Sequence, residues 1–209
     1  MPSDATHDRA AHWNAAYTRN PADRVSWFEA EPVTSLELIE TCALTPEAPI
    51  IDIGGGASRL TAALHARLYR DLSILDIAQT ALDAGALTLP GTVALIQADI
   101  TIWRPERQYA LWHDRAVFHF LTDPADRAAY LAALRRAVRP HGYVILATFA
   151  LEGPERCSGL PVVRYDANRM AELLAPDFTL RAERAHTHHT PGGAAQLFAY
   201  ALLQRTGTR

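Results

Sequence analysis

The stretch Ile50-Ile51-Asp52-Ile53-Gly54-Gly55-Gly56-Ala57-Ser58-Arg59-Leu60 decides the fold of this chain. Its first four residues predict a short buried strand that carries an acid, and a glycine turn joins that strand to a helix that opens at Ser58. Because glycine has no Cβ, such a turn lets a ligand approach the backbone and the helix N-terminus closely. The stretch therefore predicts a ligand-binding strand–turn–helix unit of an α/β protein.

A dinucleotide is one ligand that such a turn can bind, but these residues fit it poorly. The dinucleotide-binding pattern Gly-x-Gly-x-x-Gly/Ala needs a small third residue so that the helix packs closely on the strand. Gly54 and Gly56 supply the first pair, whereas Arg59 stands at the third position. Asp52 would also repel a pyrophosphate. An acid at this place favours a ligand with a positive charge, such as an ammonium or sulfonium group.

Two more acids follow predicted strands at nearly equal intervals. Asp76 ends an apolar run over 72–75, and Asp99 follows another over 93–98. Because the carboxyl ends of parallel strands meet at one edge of an open α/β sheet, we expect the three acids to lie side by side where ligands bind. Each acid alone is also typical of a helix cap or a turn. Together with the glycine turn, they favour a nucleoside with a cationic tail.

With these residues the chain resembles the class I methyltransferases that use S-adenosylmethionine. Asp52-Ile53-Gly54-Gly55-Gly56 is similar to their first motif, Asp76 to their ribose-binding acid and Asp99 to their adenine-binding acid. The resemblance implies S-adenosylmethionine as the cofactor and methyl transfer as the activity. The cofactor-binding residues that we expect are Trp13, Trp27, Asp52, Gly54, Gly56, Ser58, Asp76, Ile77, Asp99, Ile100 and His113.

The order of the predicted elements favours an α/β fold. Five strand–helix units precede a hairpin that pairs residues 178–187 with 195–203. We expect a Rossmann-like, seven-stranded, mostly parallel sheet with a C-terminal antiparallel hairpin and helices on both faces, which is also the fold that the resemblance implies. Residues 1–209 are expected to form a single domain. Within it we expect an N-terminal helical cap (1–45), a core (46–209) and a lid-like, irregular loop (151–165).

Composition counts against several classes of protein. The chain has 209 residues, 49% of them hydrophobic and 21% charged, with a net charge of −3, so no general positive field draws it to nucleic acid or to an anionic membrane. No stretch has the length and apolarity of a membrane span, and the first twenty residues lack the apolar core of a signal peptide. Cys42 and Cys157 lie far apart in sequence, which favours a reducing, cytoplasmic location.

The methyl acceptor is expected beyond the fourth strand, at residues 113–119. Members of the resembled family that methylate adenine or glutamine carry Asn/Asp-Pro-Pro-aromatic here, and its absence counts against those acceptors. Asp114-Arg115-Ala116 instead resembles the Asp-Arg-small run of thiopurine-type methyltransferases. Asp114 and His119 are the candidate catalytic bases. Asp114 also suits an ion pair with Arg115 or a cap of the next turn, and His119 also suits a buried core position.

Four residues are candidate contacts to the acceptor substrate, namely Arg115, Cys157, Arg164 and His189. Arginine suits a carboxylate or a phosphate, and Cys157 is a wall residue of the lid-like loop. His186, His188 and His189 raise the alternative of a metal site. On a strand the first two share a face and the third points away. No nearby acid or cysteine completes a ligand set, so no metal is expected.

Several interpretations of the whole chain stay open. We expect methyl transfer to a small-molecule sulfur or nitrogen nucleophile. A protein lysine methyltransferase is the alternative, because Trp13, Tyr17 and Trp27 resemble the start of a group that includes such enzymes, although this chain lacks their Lys-Gly-Thr after the fourth strand. The third interpretation is a non-catalytic module that binds the cofactor. The tryptophans themselves either close over a sulfonium by cation–π attraction or only pack a helix on the sheet.

Overall fold

Strands and helices alternate through most of residues 4–207, the part of the chain that the computed structural model describes. The predicted domain boundaries at residues 1 and 209 lie outside the described residues. The helices are α1 (Asp4–Arg19), α2 (Val33–Thr41), α3 (Leu60–Ala66), α4 (Gln79–Ala86), α5 (Pro124–Ala137) and α6 (Ala167–Leu174), with a short 3₁₀ helix at Phe118–Phe120. The strands are β1 (Ile50–Ile53), β2 (Leu72–Asp76), β3 (Ala94–Gln97), β4 (Tyr109–Arg115), β5 (Val138–Phe149), β6 (Arg156–Cys157), β7 (Leu160–Pro161), β8 (Phe178–His189) and β9 (Ala195–Arg205).

Seven of these strands form one twisted sheet in the order β3-β2-β1-β4-β5-β9-β8. The first five are parallel to one another, and β9 runs antiparallel to both β5 and β8. This topology confirms the predicted Rossmann-like sheet with a C-terminal antiparallel hairpin. The direction of winding reverses between β1 and β4, and such a reversal leaves a crevice at the carboxyl ends of the strands.

Apolar side chains on the two faces of the sheet form two buried clusters. Ile51 and Ile53 of β1 point into one cluster and Ile50 into the other, because successive strand residues face opposite sides. Helices α5 and α6 cover the first face, while α2 and α3 cover the second. Both faces are therefore buried, as the near-continuous apolar runs of the parallel strands require.

Helix α5 begins at a side-chain cap and passes directly into the next strand. The side chain of Asp123 accepts a backbone N–H of the first turn as an N-cap. The helix ends at Ala137, and β5 starts directly at Val138, ahead of the apolar run that begins at Tyr143. Val138 pairs with Tyr109 of β4 before the register shifts, so this extra strand length is a product of sheet pairing.

The loop 151–165, expected to be irregular, contains a short hairpin. Strands β6 and β7 pair through Cys157 and Leu160. Ser158 and Gly159 between them have φ angles of 49° and 79°, and two residues with positive φ form the tight turn that joins such strands. The roles of this segment as a lid and of residues 1–45 as a cap stay predictions. No helix within residues 4–207 combines the length and the apolarity that crossing a bilayer requires.

Candidate active site

A cleft of about 340 Å³ opens at the reversal point between β1 and β4. Its floor is the carboxyl edge of the parallel strands. Helix α1 and Trp27 close one side, and the 3₁₀ helix and the β6–β7 hairpin close the other. A smaller cavity shares Tyr17, Trp27 and Arg115 with this cleft and extends to Asp52 and His113. The predicted cofactor edge of the sheet thus forms the floor of a cleft.

Asp52 is the third residue of β1 and a buried carboxylate with one free oxygen. Its Oδ1 lies 2.7 Å from Nδ1 of His113, and Nε2 of His113 lies 2.9 Å from the Ser35 hydroxyl. Asp52 Oδ2 is buried and has no hydrogen-bond partner among the described residues. Because a buried carboxylate oxygen without a donor is costly, this atom is suited to receive a cationic or N–H group of a ligand.

Each of the three glycines after β1 lies where a Cβ would collide with a neighbouring side chain; for Gly55 the nearest atom is Oδ2 of Asp52, at 2.3 Å. A Cβ on Gly54, which has a φ of +69°, would lie 2.2 Å from Cγ2 of Val117. A Cβ on Gly56 would lie 2.7 Å from Oδ2 of Asp76 and 2.6 Å from Cβ of Ala81. The turn is therefore drawn tightly against β2, α4 and the segment after β4. Ser58 is exposed, and its hydroxyl accepts the N–H of Leu60, the first residue of α3, at 3.0 Å.

Asp76 connects the glycine turn to the start of α4. Its Oδ2 accepts the Gly56 N–H at 3.1 Å and its Oδ1 accepts the Ala78 N–H at 2.9 Å. Each carboxylate oxygen keeps a lone pair, and the residue lines the cleft beside Ile77. Burial raises the pKa of the Asp76 carboxyl to about 6. Asp76 can thus still accept hydroxyl groups of a ribose.

Asp99 lies at the far end of the cleft. It is paired with Arg9, a residue that was not predicted from the sequence. An Arg9 guanidinium nitrogen lies 3.0 Å from Asp99 Oδ2, and Arg9 also bonds Asp126 at 2.9 Å. The other Asp99 oxygen accepts the Thr101 hydroxyl at 2.8 Å. Helix α1 is thereby anchored over this end of the cleft, next to Ile100. No local signal links residues so distant in the chain.

Aromatic side chains form the wall between the cleft and solvent. Trp13 of α1 packs edge-on against both Trp27 and Phe120, with ring centroids 5.6 and 4.9 Å apart. The indole N–H of Trp27 donates to the Tyr17 hydroxyl at 3.1 Å. All four residues line the cleft. The two tryptophans therefore both pack α1 in place and present aromatic surface to the cleft.

Asp114 is fully buried and holds the turn after β4. Its carboxylate accepts the Tyr130 hydroxyl at 2.5 Å and the backbone N–H groups of Val117 and Phe118 at 2.8 and 3.1 Å. Burial raises its pKa to about 6, although the Tyr130 hydrogen bond opposes that shift. The side chain does not line the cleft. Of the interpretations left open by the sequence, this geometry favours the cap, and a role as catalytic base stays a prediction.

His119 is likewise fully buried, between Phe120 and Phe149. The Phe149 N–H points at its Nδ1 at 3.4 Å, and its Nε2 has no partner among the described residues. Burial, with a smaller contribution from Arg115, lowers the pKa of the ring to about 3. The ring is then neutral near pH 7 and a weak proton acceptor. Its predicted role as a base stays without support from this geometry.

The four predicted acceptor contacts are not all brought together. Arg115 and Cys157 line the cleft, and burial raises the pKa of the Cys157 thiol to about 11. Arg164 bonds the Gly153 carbonyl and Glu155, both at 3.0 Å, within its own loop. His189 is exposed on the edge strand β8. The latter two side chains do not line the cleft, and their contact with an acceptor stays a prediction.

An acid does lie beside the histidines of β8, contrary to the expectation from the sequence. Glu29 Oε1 is 3.6 Å from Nε2 of His186 and 3.8 Å from Nδ1 of His188. His186 and His188 share one face of β8, as their spacing predicts, and His189 faces away. Glu29 belongs to the connection between α1 and α2, so only the folded chain brings it to the strand.

The predicted cofactor residues do converge on one place. Those that line the cleft or its smaller extension are Trp13, Trp27, Asp52, Gly54, Ser58, Asp76, Ile77, Asp99, Ile100 and His113. Gly56 contributes through its backbone N–H to Asp76. Three carboxylates, one of them with a free buried oxygen, together with an aromatic wall, fit a nucleoside that carries a positive charge.

Comparison with known proteins agrees with this geometry. Residues 50–142 match the family model described as a methyltransferase domain, while no curated protein sequence matches the chain. A 1,6-didemethyltoxoflavin-N1-methyltransferase from Burkholderia thailandensis, solved with S-adenosylhomocysteine, is 20% identical with a TM-score of 0.70, over 99% of this chain and 92% of that one.

Two other solved structures share the fold. A methyltransferase dependent on S-adenosylmethionine from Anabaena variabilis is 18% identical with a TM-score of 0.73, over 98% of this chain and 96% of that one. The N-methyltransferase NodS from Bradyrhizobium japonicum, also solved with S-adenosylhomocysteine, is 11% identical with a TM-score of 0.65, over 92% of this chain and 97% of that one. The family match over residues 50–142, together with the topology and the three-acid cleft, identifies a class I S-adenosylmethionine-dependent methyltransferase domain in this chain.

Proposed function

We propose that the protein transfers a methyl group from S-adenosylmethionine to a small-molecule nucleophile, with nitrogen or sulfur as the attacking atom. The observation that carries this proposal is the shape of the acceptor end of the cleft. Ala116, Val117 and Phe120 form an apolar surface beyond β4, and Leu160 and Pro161 of the hairpin face it. A site enclosed from two sides suits a small molecule better than an extended chain.

Structural neighbours support the same substrate class. The proteins from Burkholderia thailandensis and Bradyrhizobium japonicum are both N-methyltransferases, and the first was solved with the small molecule 1,6-didemethyltoxoflavin. The net charge of −3 gives no general attraction to nucleic acid. Cys42 and Cys157 are free, buried thiols, which supports the reducing cytoplasm as the compartment that we propose.

The cofactor site that we propose uses the three strand-end acids in different ways. The free oxygen of Asp52 receives the positively charged methionine end, Asp76 accepts the ribose hydroxyls, and Asp99 faces the adenine beside Ile100. Trp13 and Trp27 shield the sulfonium from water and attract it by cation–π interaction. The bound cofactor supplies a methyl group that is already activated for displacement.

The protein's own part in the reaction is alignment and exclusion of water. Positioning two reactants in line can contribute about 7–11 kcal/mol to lowering the barrier. The described carboxylates that line the cleft all have donors within the protein: Asp76 has two backbone N–H groups, and Asp99 and Asp126 share Arg9. We therefore propose that the acceptor enters unprotonated at its nucleophilic atom, so that the lone pair is available for attack. The apolar surface at Val117 and Phe120 orients the acceptor.

Replacement of Asp76 by alanine tests the cofactor site. The variant loses the acceptor of the ribose hydroxyls and of the Gly56 N–H, so we expect cofactor binding to weaken by about 1–3 kcal/mol. Isothermal titration calorimetry with S-adenosylhomocysteine measures this directly. The exposed Asp83→Ala variant, in the same region of the fold, is the matched control and should bind as the wild type does.

The pH dependence of binding gives a second readout at the same residue. Burial raises the pKa of Asp76 to about 6, and hydroxyl groups donate more strongly to the ionised carboxylate than to the neutral acid. Cofactor affinity should be constant above this pKa and fall as the pH drops through about 6, by at most about tenfold per pH unit. An Asp76→Asn variant should lose this dependence. Equal affinity in Asp76→Ala and wild type would contradict the assignment.

The acceptor itself can be identified with deuterated cofactor. The full chain is incubated with a cell extract and S-adenosylmethionine that carries a CD₃ group, and the products are analysed by untargeted mass spectrometry. We expect the label in a small molecule, with a sample that contains no enzyme as the blank. Label in a single protein band would favour the lysine methyltransferase instead. Cofactor binding without any labelled product over a broad acceptor panel would favour a non-catalytic module.

A further inference from the structure

A cluster of metal-ligating side chains borders the smaller cavity, which Glu29 lines, and the proposed function gives this cluster no role. Ligand atoms of Glu29, His186 and His188 all lie within 4.8 Å of one another. The two histidine nitrogens are 3.6 and 3.8 Å from Glu29 Oε1, which is longer than a hydrogen bond. In a tetrahedral zinc site with bonds of about 2.0–2.1 Å, ligand atoms lie about 3.3 Å apart. The three atoms are thus spaced with room for an ion between them.

The other nitrogen of each ring is held by the protein. Nε2 of His188 lies 2.8 Å from the Ser26 carbonyl oxygen, to which it donates, and Nδ1 of His186 lies 3.2 Å from the Thr34 hydroxyl. This leaves the ring nitrogens that face Glu29 free to act as ligands. Metal-bound histidines in proteins are oriented in the same way, by a hydrogen bond from the nitrogen that does not bind the metal.

From this arrangement we propose that Glu29, His186 and His188 bind a divalent ion of the zinc class. Two imidazole nitrogens and one carboxylate oxygen suit zinc, with a fourth position left for water or another ligand. The ion would connect the α1–α2 connection, which carries Trp27, to the edge strand β8. Its position makes it a clamp on one wall of the cleft, and it does not depend on the function proposed above.

Arg115 is the group that opposes metal binding. A nitrogen of its guanidinium lies 3.0 Å from Glu29 Oε1, so a bound cation meets a positive neighbour. Arg115 has other partners, however: it donates to the Trp27 carbonyl at 2.9 Å and to the Tyr200 hydroxyl at 3.1 Å. It can therefore remain in place while the ion takes Oε1. The expected consequence is an affinity well below that of closed structural zinc sites.

Titration of the full chain with zinc alone tests this site. The protein, freed of any affinity tag and of bound metal by chelation, should bind one Zn²⁺ per chain in calorimetry and melt several degrees higher with zinc present. Cobalt(II) in its place should give visible absorption bands of a nitrogen- and oxygen-bound ion. His186→Ala should lower zinc affinity at least about 100-fold, and Thr34→Val, which removes only the positioning hydroxyl, about tenfold.

Two further variants keep the test decisive. His189→Ala is the matched control, because His189 lies on the same strand but faces away, and its zinc affinity should equal that of the wild type. Glu29→Gln preserves size and removes the charge, so it reports on the site even where His186→Ala folds poorly. The proposal is overturned by the lack of saturable zinc binding to the wild type, or by binding that survives both His186→Ala and Glu29→Gln.

Discussion

Asp114→Ala should lower the free energy of unfolding by at least about 3 kcal/mol, the largest loss of stability that we expect from one substitution. Three donors, namely the Tyr130 hydroxyl and the N–H groups of Val117 and Phe118, converge on this carboxylate in a fully buried place. Each donor left without an acceptor costs about 1–3 kcal/mol. Chemical denaturation followed by circular dichroism measures the loss, and the exposed cap variant Asp123→Ala should cost only about 1 kcal/mol.

Asp114→Asn separates the two roles that the sequence left open for this residue. The amide keeps the shape of the carboxylate but turns one acceptor oxygen into an NH₂ group, so stability should fall while the site stays assembled. If Asp114 only holds the turn that presents Ala116 and Val117 to the cleft, kcat should stay within about tenfold of wild type. Removal of a true general base costs about 10²–10⁴-fold. Such a loss in a variant that is still folded and binds the cofactor as the wild type does would restore Asp114 as the base.

Gly85→Ala should damage the cofactor site from a helix that does not line the cleft. Gly85 lies inside α4, where alanine normally stabilises a helix by about 0.5–1 kcal/mol. Here a Cβ would lie 1.9 Å from the carbonyl oxygen of Gly56, so the helix or the glycine turn must move. We expect the free energy of unfolding to fall by about 1–3 kcal/mol, as for other overpacked sites. Cofactor affinity should fall at least about tenfold, because Gly56 N–H positions Asp76.

The matched control is Gly91→Ala, at a turn where no atom lies within 4 Å of the added Cβ. Its stability and its affinity for S-adenosylhomocysteine should both equal those of the wild type. Calorimetry and thermal unfolding of the three proteins measure the difference. A Gly85→Ala protein that is more stable than wild type and binds the cofactor equally well would mean that the turn does not depend on this close packing.

Local patterns in the sequence were sufficient for the sheet and for its ligand-binding edge. The runs before Asp52, Asp76 and Asp99 predict parallel strands, and the carboxyl ends of parallel strands must meet at one edge of the sheet. The start of α5 is set in an equally local way, since the Asp123 cap acts within its own turn. Signals that act over a few residues, repeated along the chain, therefore predicted the architecture and the cofactor.

Pairings between distant residues were decided only by the tertiary structure. Whether Asp114 is a cap or a base depends on the donors that surround it, and Tyr130 reaches it from another element. Asp99 lies beside Arg9, and the histidines of β8 lie beside Glu29, although each pair is far apart in the sequence. The sequence by itself determined a nucleoside-binding α/β sheet, because strand ends and caps are local. The partner of each buried charge depends on the folded structure. Packing brings a distant group next to the charge, in surroundings of low dielectric constant where the interaction is strong.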